Sequence, residues 1–105
     1  MKWKEIEKSA KEILDLRPDG WTTPLLFDLA KLCEESGEVA ECMVKSSKTK
    51  EDLGDELSDV LVVVAIIAIR NGIDMEDAFP RKQTERVQKL VNRFHNGKYP
   101  RKTKG

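Results

Sequence analysis

Residues 56–69 read Glu-Leu-Ser-Asp-Val-Leu-Val-Val-Val-Ala-Ile-Ile-Ala-Ile: two acids three positions apart, then ten apolar side chains from Val60 to Ile69, closed by Arg70. A helix needs about 20 apolar residues to cross a bilayer, so this shorter run predicts a helix buried in a protein core. Its apolar side chains surround the helix axis, and it needs cover on nearly every side. The acids at its head keep costly company. Asp59 adjoins the run and Glu56 lies between Leu53 and Leu57, and a carboxylate on a core-filling helix is expensive without a partner.

Working outward, Ser46-Ser47-Lys48-Thr49 is a short polar loop, and Thr49 with Asp52 forms a capping box in which Asp replaces the usual Glu. The helix they open runs to about Asn71, where Gly72 suits a left-handed C-cap and Ile73 its hydrophobic contact. Before the loop, Thr23 offers an N-cap and Pro24 a first helical residue, predicting a second helix from about Pro24 to Lys45. Its apolar side is Leu25, Leu29, Leu32, Cys33, Ala40 and Met43. A first helix carries Trp3, Ile6, Ala10, Ile13 and Leu14 at three- and four-residue steps and stops at the turn Arg17-Pro18-Asp19-Gly20.

A fourth helix, capped by Asp74, shows an apolar face of Ala78, Phe79, Val87, Leu90, Val91 and Phe94, and Pro80 is expected to kink it or delay its start. From Asn96 onward Lys98, Arg101, Lys102 and Lys104 stand without an acid, which predicts a basic, disordered tail over residues 96–105. No internal repeat and no strand-like alternation interrupts the pattern. The expected fold is all-α: one four-helix bundle over residues 1–95, completed by oligomerisation.

The whole chain has 105 residues, 36% of them charged, with 19 basic and 19 acidic side chains that cancel. No global field draws it to nucleic acid or to a membrane, so neither is expected as a partner and any anionic ligand must be met locally. Met1-Lys2-Trp3-Lys4-Glu5 leads directly into a charged amphipathic pattern, so no secretion signal is expected. Cys33 and Cys42 fall nine residues apart in one helix, roughly 13 Å, too far for a disulfide. Both read as reduced core thiols, which implies a cytoplasmic protein.

The chemistry is concentrated in two acidic pairs. Glu34-Glu35-Ser36-Gly37-Glu38 lies on the second helix and Asp55-Glu56-Leu57-Ser58-Asp59 on the third. Residues three apart share a helical face, so Glu35 with Glu38, and Glu56 with Asp59, each aim two carboxylates at one point. Antiparallel packing through the short loop would bring the pairs side by side, since Glu38 lies about as far before it as Glu56 after it. Four carboxylates at one spot repel unless a cation neutralises them. Oxygen-only ligation is the chemistry of Mg²⁺ or Mn²⁺ rather than of zinc. The plain alternative is a solvated acidic face, with Lys31 and Lys45 as surface partners. Gly37 either admits something close to the backbone or permits tight helix packing.

Glu-Glu-x-x-Glu followed, after 17 intervening residues, by Glu-x-x-Asp resembles the MazG-like nucleoside triphosphate pyrophosphohydrolases. The surrounding words are similar too: Leu-x-Glu-Glu-x-Gly-Glu-Val-Ala-Glu over residues 32–41 and Glu-Leu-Ser-Asp-Val-Leu over 56–61. The resemblance covers about Arg17 to Phe79. It implies hydrolysis of the α–β phosphoanhydride of a (deoxy)nucleoside triphosphate to monophosphate and pyrophosphate, a housecleaning of the nucleotide pool. Carried over, Glu35, Glu38, Glu56 and Asp59 would coordinate Mg²⁺, and Glu34 or Glu41 would act as general base or outer ligand. Arg17-Pro18-Asp19-Gly20-Trp21 is similar to the approach to the base pocket in related members, so that Trp21 could stack on a base or simply pack at a helix start. Lys82, Arg86 and Lys89 recur on one face of the fourth helix and could reach phosphates or remain a solvated basic face.

Phosphoribosyl-ATP pyrophosphatases share these acidic motifs and form an alternative, but they usually carry a His four residues after the final Asp, where this chain has Val63. A non-catalytic helical interaction module is the alternative from another class. Assembly as a homodimer or a dimer of dimers is expected, because one subunit can hardly surround the apolar third helix.

Overall fold

The computed structural model describes residues 1–18 and 25–95. They form four helices and, among the described residues, no strand: α1 (Trp3–Leu16), α2 (Leu25–Val44), α3 (Lys50–Arg70) and α4 (Met75–His95). The all-α expectation holds, and the helix bounds agree with the caps. The Thr23–Pro24 start of the second helix, Trp21 and the basic tail lie outside the described residues. The chain divides into two compact units, Met1–Ile73 and Asp74–Gly105.

In the first unit, α3 begins where Thr49 Oγ1 accepts from the Asp52 N–H at 3.1 Å while Asp52 Oδ2 accepts from the Thr49 N–H at 2.8 Å. Two otherwise orphaned donors are satisfied reciprocally. At the other end Gly72 adopts φ 64°, and Ile73 N–H donates to Ala68 O at 2.8 Å. A side chain at Gly72 would strain that left-handed turn.

The apolar stretch of α3 is covered first by α1. Ala10 and Leu14 of α1 and Ala65 and Ile66 of α3 form the buried cluster, with Trp3, Ile6, Val62 and Ile69 packed around it. Ala10 and Ala65 are both 0% exposed; small residues facing each other let two helices approach closely. Ile13 belongs to the same sequence stripe yet is exposed.

Helix α2 overturns the expectation for its buried side. Leu25, Leu29, Cys33, Ala40 and Met43 are exposed and Leu32 is half-buried, whereas Asp28, Glu35 and Cys42 are buried. These three stand seven residues apart and therefore share one helical face. The reason is electrostatic. Asp28 is 3% exposed, its Oδ2 lying 2.7 Å from Arg70 Nε and its Oδ1 3.6 Å from Arg17 Nη1. The Arg17 guanidinium also sits over the Phe27 ring, 4.9 Å from its centre. Asp28 thus ties the end of α1 and the end of α3 to α2, and that clamp sets the rotation of α2. Of the two thiols, Cys42 is buried and Cys33 is exposed, and neither is in a disulfide; the core reading holds for Cys42 alone.

The second unit is built on α4. Asp74 Oδ1 accepts from the N–H groups of Glu76 and Asp77 at 2.9 and 3.3 Å, which is the predicted cap. Pro80 lies inside the helix, and the start at Met75 is not delayed. The missing N–H removes only the bond to the Glu76 carbonyl, one turn from a well-capped end. No helix among the described residues is long and apolar enough to cross a membrane.

Breaking the buried clamp is the sharpest test of this arrangement. Asp28→Asn leaves two arginines facing a neutral amide and is expected to lower unfolding stability by about 3–5 kcal/mol. Urea denaturation reads it as a fall in midpoint at unchanged slope; a variant as stable as the parent would remove Asp28 from its organising role.

Candidate functional site

The α2–α3 pairing is antiparallel, with Asp28 near the start of α2 against Arg70 at the end of α3. The same alignment brings the acidic segments together beside the loop. One carboxylate oxygen each from Glu35, Glu38 and Glu56 lies within 4.8 Å of the others. Glu35 is buried, Glu56 half-buried and Glu38 exposed, so the group opens from the helix interface toward solvent. Asp59 is not among the three. It lies one turn further along α3 and shares a separate cleft with Glu35.

Like charges at this range hold one another back from ionising. The Glu56 carboxyl is pushed above the ordinary range, first by its hydrogen bond to Glu38, then by desolvation and by the charges of Glu38, Asp59 and Glu35. Glu35 Oε2 and Glu56 Oε2 are buried and have no hydrogen-bond partner among the described residues. Buried carboxylate oxygens left without a donor are costly. An all-oxygen set with two such oxygens fits a hard divalent cation.

Lys31 is a basic neighbour of the group, its Nζ lying 3.3 Å from Glu34 Oε1 and 3.5 Å from Glu35 Oε1. Its pKa is raised, first by the hydrogen bond to Glu34. Glu41 is engaged by Lys45, and that hydrogen bond holds its carboxyl below the usual range. The two basic partners foreseen in the sequence are therefore present.

Two depressions meet the acids. A cavity of about 220 Å³ is lined by Glu38, Glu41, Cys42, Lys48 and Glu56. The Cys42 thiol in its wall is pushed up, first by desolvation and then by Asp52. On the other side a cleft of about 340 Å³ is lined by Ser9, Glu12, Ile13 and Arg17, by Lys31 and Glu35 of α2, and by Asp59, Val62, Val63 and Ile66 of α3. Arg17 and Lys31 went unassigned to this cleft in the sequence, and Asp28 was missed. The available signal was position: Asp28 precedes Glu35 by seven residues, on one helix face, and Arg70 closes the apolar run.

Glu34 pairs with Lys31 and is half exposed, while Glu41 shares the smaller cavity with two of the three clustered acids. A methyl group placed at Gly37 would meet nothing within 4 Å among the described residues. Tight packing among the described residues is therefore not what this glycine serves. On α4, Lys82 and Lys89 both reach Glu85, at 3.0 and 3.3 Å. Arg86 bonds Gln83 at 3.0 Å and lies over Phe79 at 5.1 Å. Trp21 lies outside the described residues.

Residues 27–96 match the family model of the MazG nucleotide pyrophosphohydrolase domain. No curated protein matches the chain, and no solved structure does.

The raised carboxyl has a measurable consequence in chelator-treated protein. A group whose folded pKa exceeds its unfolded value binds more protons when folded, so its contribution to stability falls as pH rises from the ordinary carboxylate range through the Glu56 titration. Glu56→Gln should abolish that component and leave the metal-free protein more heat-stable than the parent at neutral pH. Thermal melts of both proteins across pH decide it, and parallel curves would show that the acids do not interact.

Proposed function

The chain belongs to the MazG nucleotide pyrophosphohydrolase family, and from that premise we propose that it cleaves a (deoxy)nucleoside triphosphate at the α–β anhydride, releasing the monophosphate and pyrophosphate. The observation that carries the reading is the convergence of Glu35, Glu38 and Glu56 within 4.8 Å, two of them with buried, unpartnered oxygens. A divalent ion, Mg²⁺ or Mn²⁺, would be held by these three and by Asp59, and would supply charge screening at the phosphates and a more acidic water. The protein's own part is to position and to move a proton. Glu34 or Glu41 would act as general base or outer ligand: Glu41 lines the same cavity as Glu38 and Glu56 but is engaged by Lys45, and Glu34 bonds Lys31. Trp21 for the base and Lys82, Arg86 and Lys89 for phosphates remain part of the proposal.

Val63 supports the general nucleotide reading over the phosphoribosyl-ATP one. It is 6% exposed and lines the cleft, an apolar wall where the relatives' motif carries an imidazole. Assembly belongs to the same proposal. Leu25, Leu26, Leu29, Met43 and Val44 of α2 and Leu57 of α3 stay exposed in the single chain, and a second copy laid along them would form a homodimer or a dimer of dimers.

Three measurements test this. Chromatography of a nucleotide panel with Mg²⁺ should show monophosphate and pyrophosphate; diphosphate with orthophosphate would refute the reaction. Glu38→Gln and Asp59→Asn should each lower kcat/KM at least about a hundredfold, the scale on which charge-stabilising groups act, and should erase the thermal stabilisation by millimolar Mg²⁺. An intact metal response in both variants would instead mark the acids as a solvated face. Light scattering should give at least twice the 12.0 kDa of one chain; an active monomer would refute assembly.

A further inference from the structure

The acidic group has a sulfur neighbour that stands outside the carboxylate motif. Cys42 follows Glu38 by four residues on α2, so the two share a helical face one turn apart. Glu56 of α3 joins them in lining the cavity of about 220 Å³, with Glu41 and Lys48 also in its wall. Three carboxylates against one ammonium make that wall attractive to a cation. Cys42 is buried and in no disulfide, and its place in the wall opens it to an ion that enters the cavity.

A second observation points to a cation here. Glu35 is 8% exposed, its Oε2 has no hydrogen-bond partner among the described residues, and one of its oxygens lies within 4.8 Å of oxygens of Glu38 and Glu56. Glu56 Oε2 is left in the same condition. The Cys42 sulfur stands outside this three-oxygen group, so a hard ion held by oxygens leaves the thiol untouched. A softer ion would not. Thiolate selects zinc and its relatives, whereas Mg²⁺ is held by oxygen alone. Two ligands one turn apart on a helix, a third from the neighbouring helix and a water make up the four-coordinate set that zinc takes. Glu38, exposed at the rim, has room to turn toward the sulfur.

We propose that Glu38, Cys42 and Glu56 form a site for a soft divalent cation, Zn²⁺ or Cd²⁺, which excludes Mg²⁺ because it takes two of the same carboxylates. On binding, the thiol proton passes to solvent and the sulfur bonds the metal. The site goes beyond the Mg²⁺ reading above and shares two carboxylates with it, so a soft ion would hold the protein in an inactive form.

Cadmium titration of the full chain under reductant, followed by ultraviolet absorption, reads the sulfur directly, because a cadmium–thiolate bond carries a charge-transfer band that carboxylates lack. The band should rise to one equivalent in the parent and in Cys33→Ser, and be absent from Cys42→Ser. Calorimetry should show Zn²⁺ binding by Cys42→Ser weakened at least about tenfold, the least that even an outer-shell partner contributes, with Mg²⁺ affinity kept within about twofold. Glu38→Gln keeps the thiol and should weaken both ions, which tests the shared ligand even where Cys42→Ser folds poorly. Mn²⁺ bound to the parent should be released by Zn²⁺, seen as the return of the free-ion paramagnetic resonance signal. A band that persists in Cys42→Ser, equal Zn²⁺ affinity in that variant, or Mn²⁺ and Zn²⁺ bound together overturns the proposal. Failure of the Mg²⁺ reading is separable: if neither Mg²⁺ nor Mn²⁺ binds while the Cys42-dependent band appears, the soft-ion site stands and the Mg²⁺ reading falls.

Discussion

The rest of the first unit depends on covering α3. A helix with ten consecutive apolar residues cannot stand in water, and the burial of that surface is the dominant favourable term available to so small a domain. Helix α1 supplies cover through Ile6, Ala10 and Leu14, packed on Val62, Ala65, Ile66 and Ile69. With that face taken, α2 turns Asp28, Glu35 and Cys42 inward. The acids of both helices consequently stand beside the loop, where α3 emerges from its apolar stretch.

Asp28 and Glu35 show how one helix face carries two different roles. Both are acids, both are buried and they stand seven residues apart. Asp28 has arginines on two sides, and its charge holds helices together. Glu35 has Lys31 on one oxygen and no hydrogen-bond partner among the described residues on the other, beside two further carboxylates. A buried acid with its counter-charges built in is structural, whereas one left short of them keeps electrostatic free energy that a cation can release. The raised Glu56 carboxyl expresses the same shortage, since its hydrogen bond to Glu38, desolvation and the neighbouring acids all favour the protonated form.

The outward-facing leucines of α2 follow from that choice. Once Asp28 and Glu35 point inward, the apolar stripe of an amphipathic helix must point elsewhere. Residues such as Leu26, 76% exposed, and Val44, 82% exposed, are the cost of placing carboxylates at the helix interface, and their burial by a second copy would offset it.

Sequence alone determined what depends on neighbours along the chain. The capping box of Thr49 and Asp52, the left-handed Gly72 and the cap at Asp74 are local hydrogen-bonding problems with few solutions, and each stands in the structure as read. The pairing of Glu35 with Glu38 followed equally from helical periodicity. Tertiary structure decided which way each helix turned. The apolar pattern of α2 pointed to the wrong inward face because hydrophobic periodicity carries no information about a salt bridge to Arg70, far away in the chain. The same rotation set which acid of the α3 pair joins the cluster, Glu56 rather than Asp59, and brought Arg17 and Lys31 to one cleft. Residues three apart share a face on any helix, but whether both reach a common point depends on the angle at which a second helix lies against it, and that angle is fixed only when distant side chains meet.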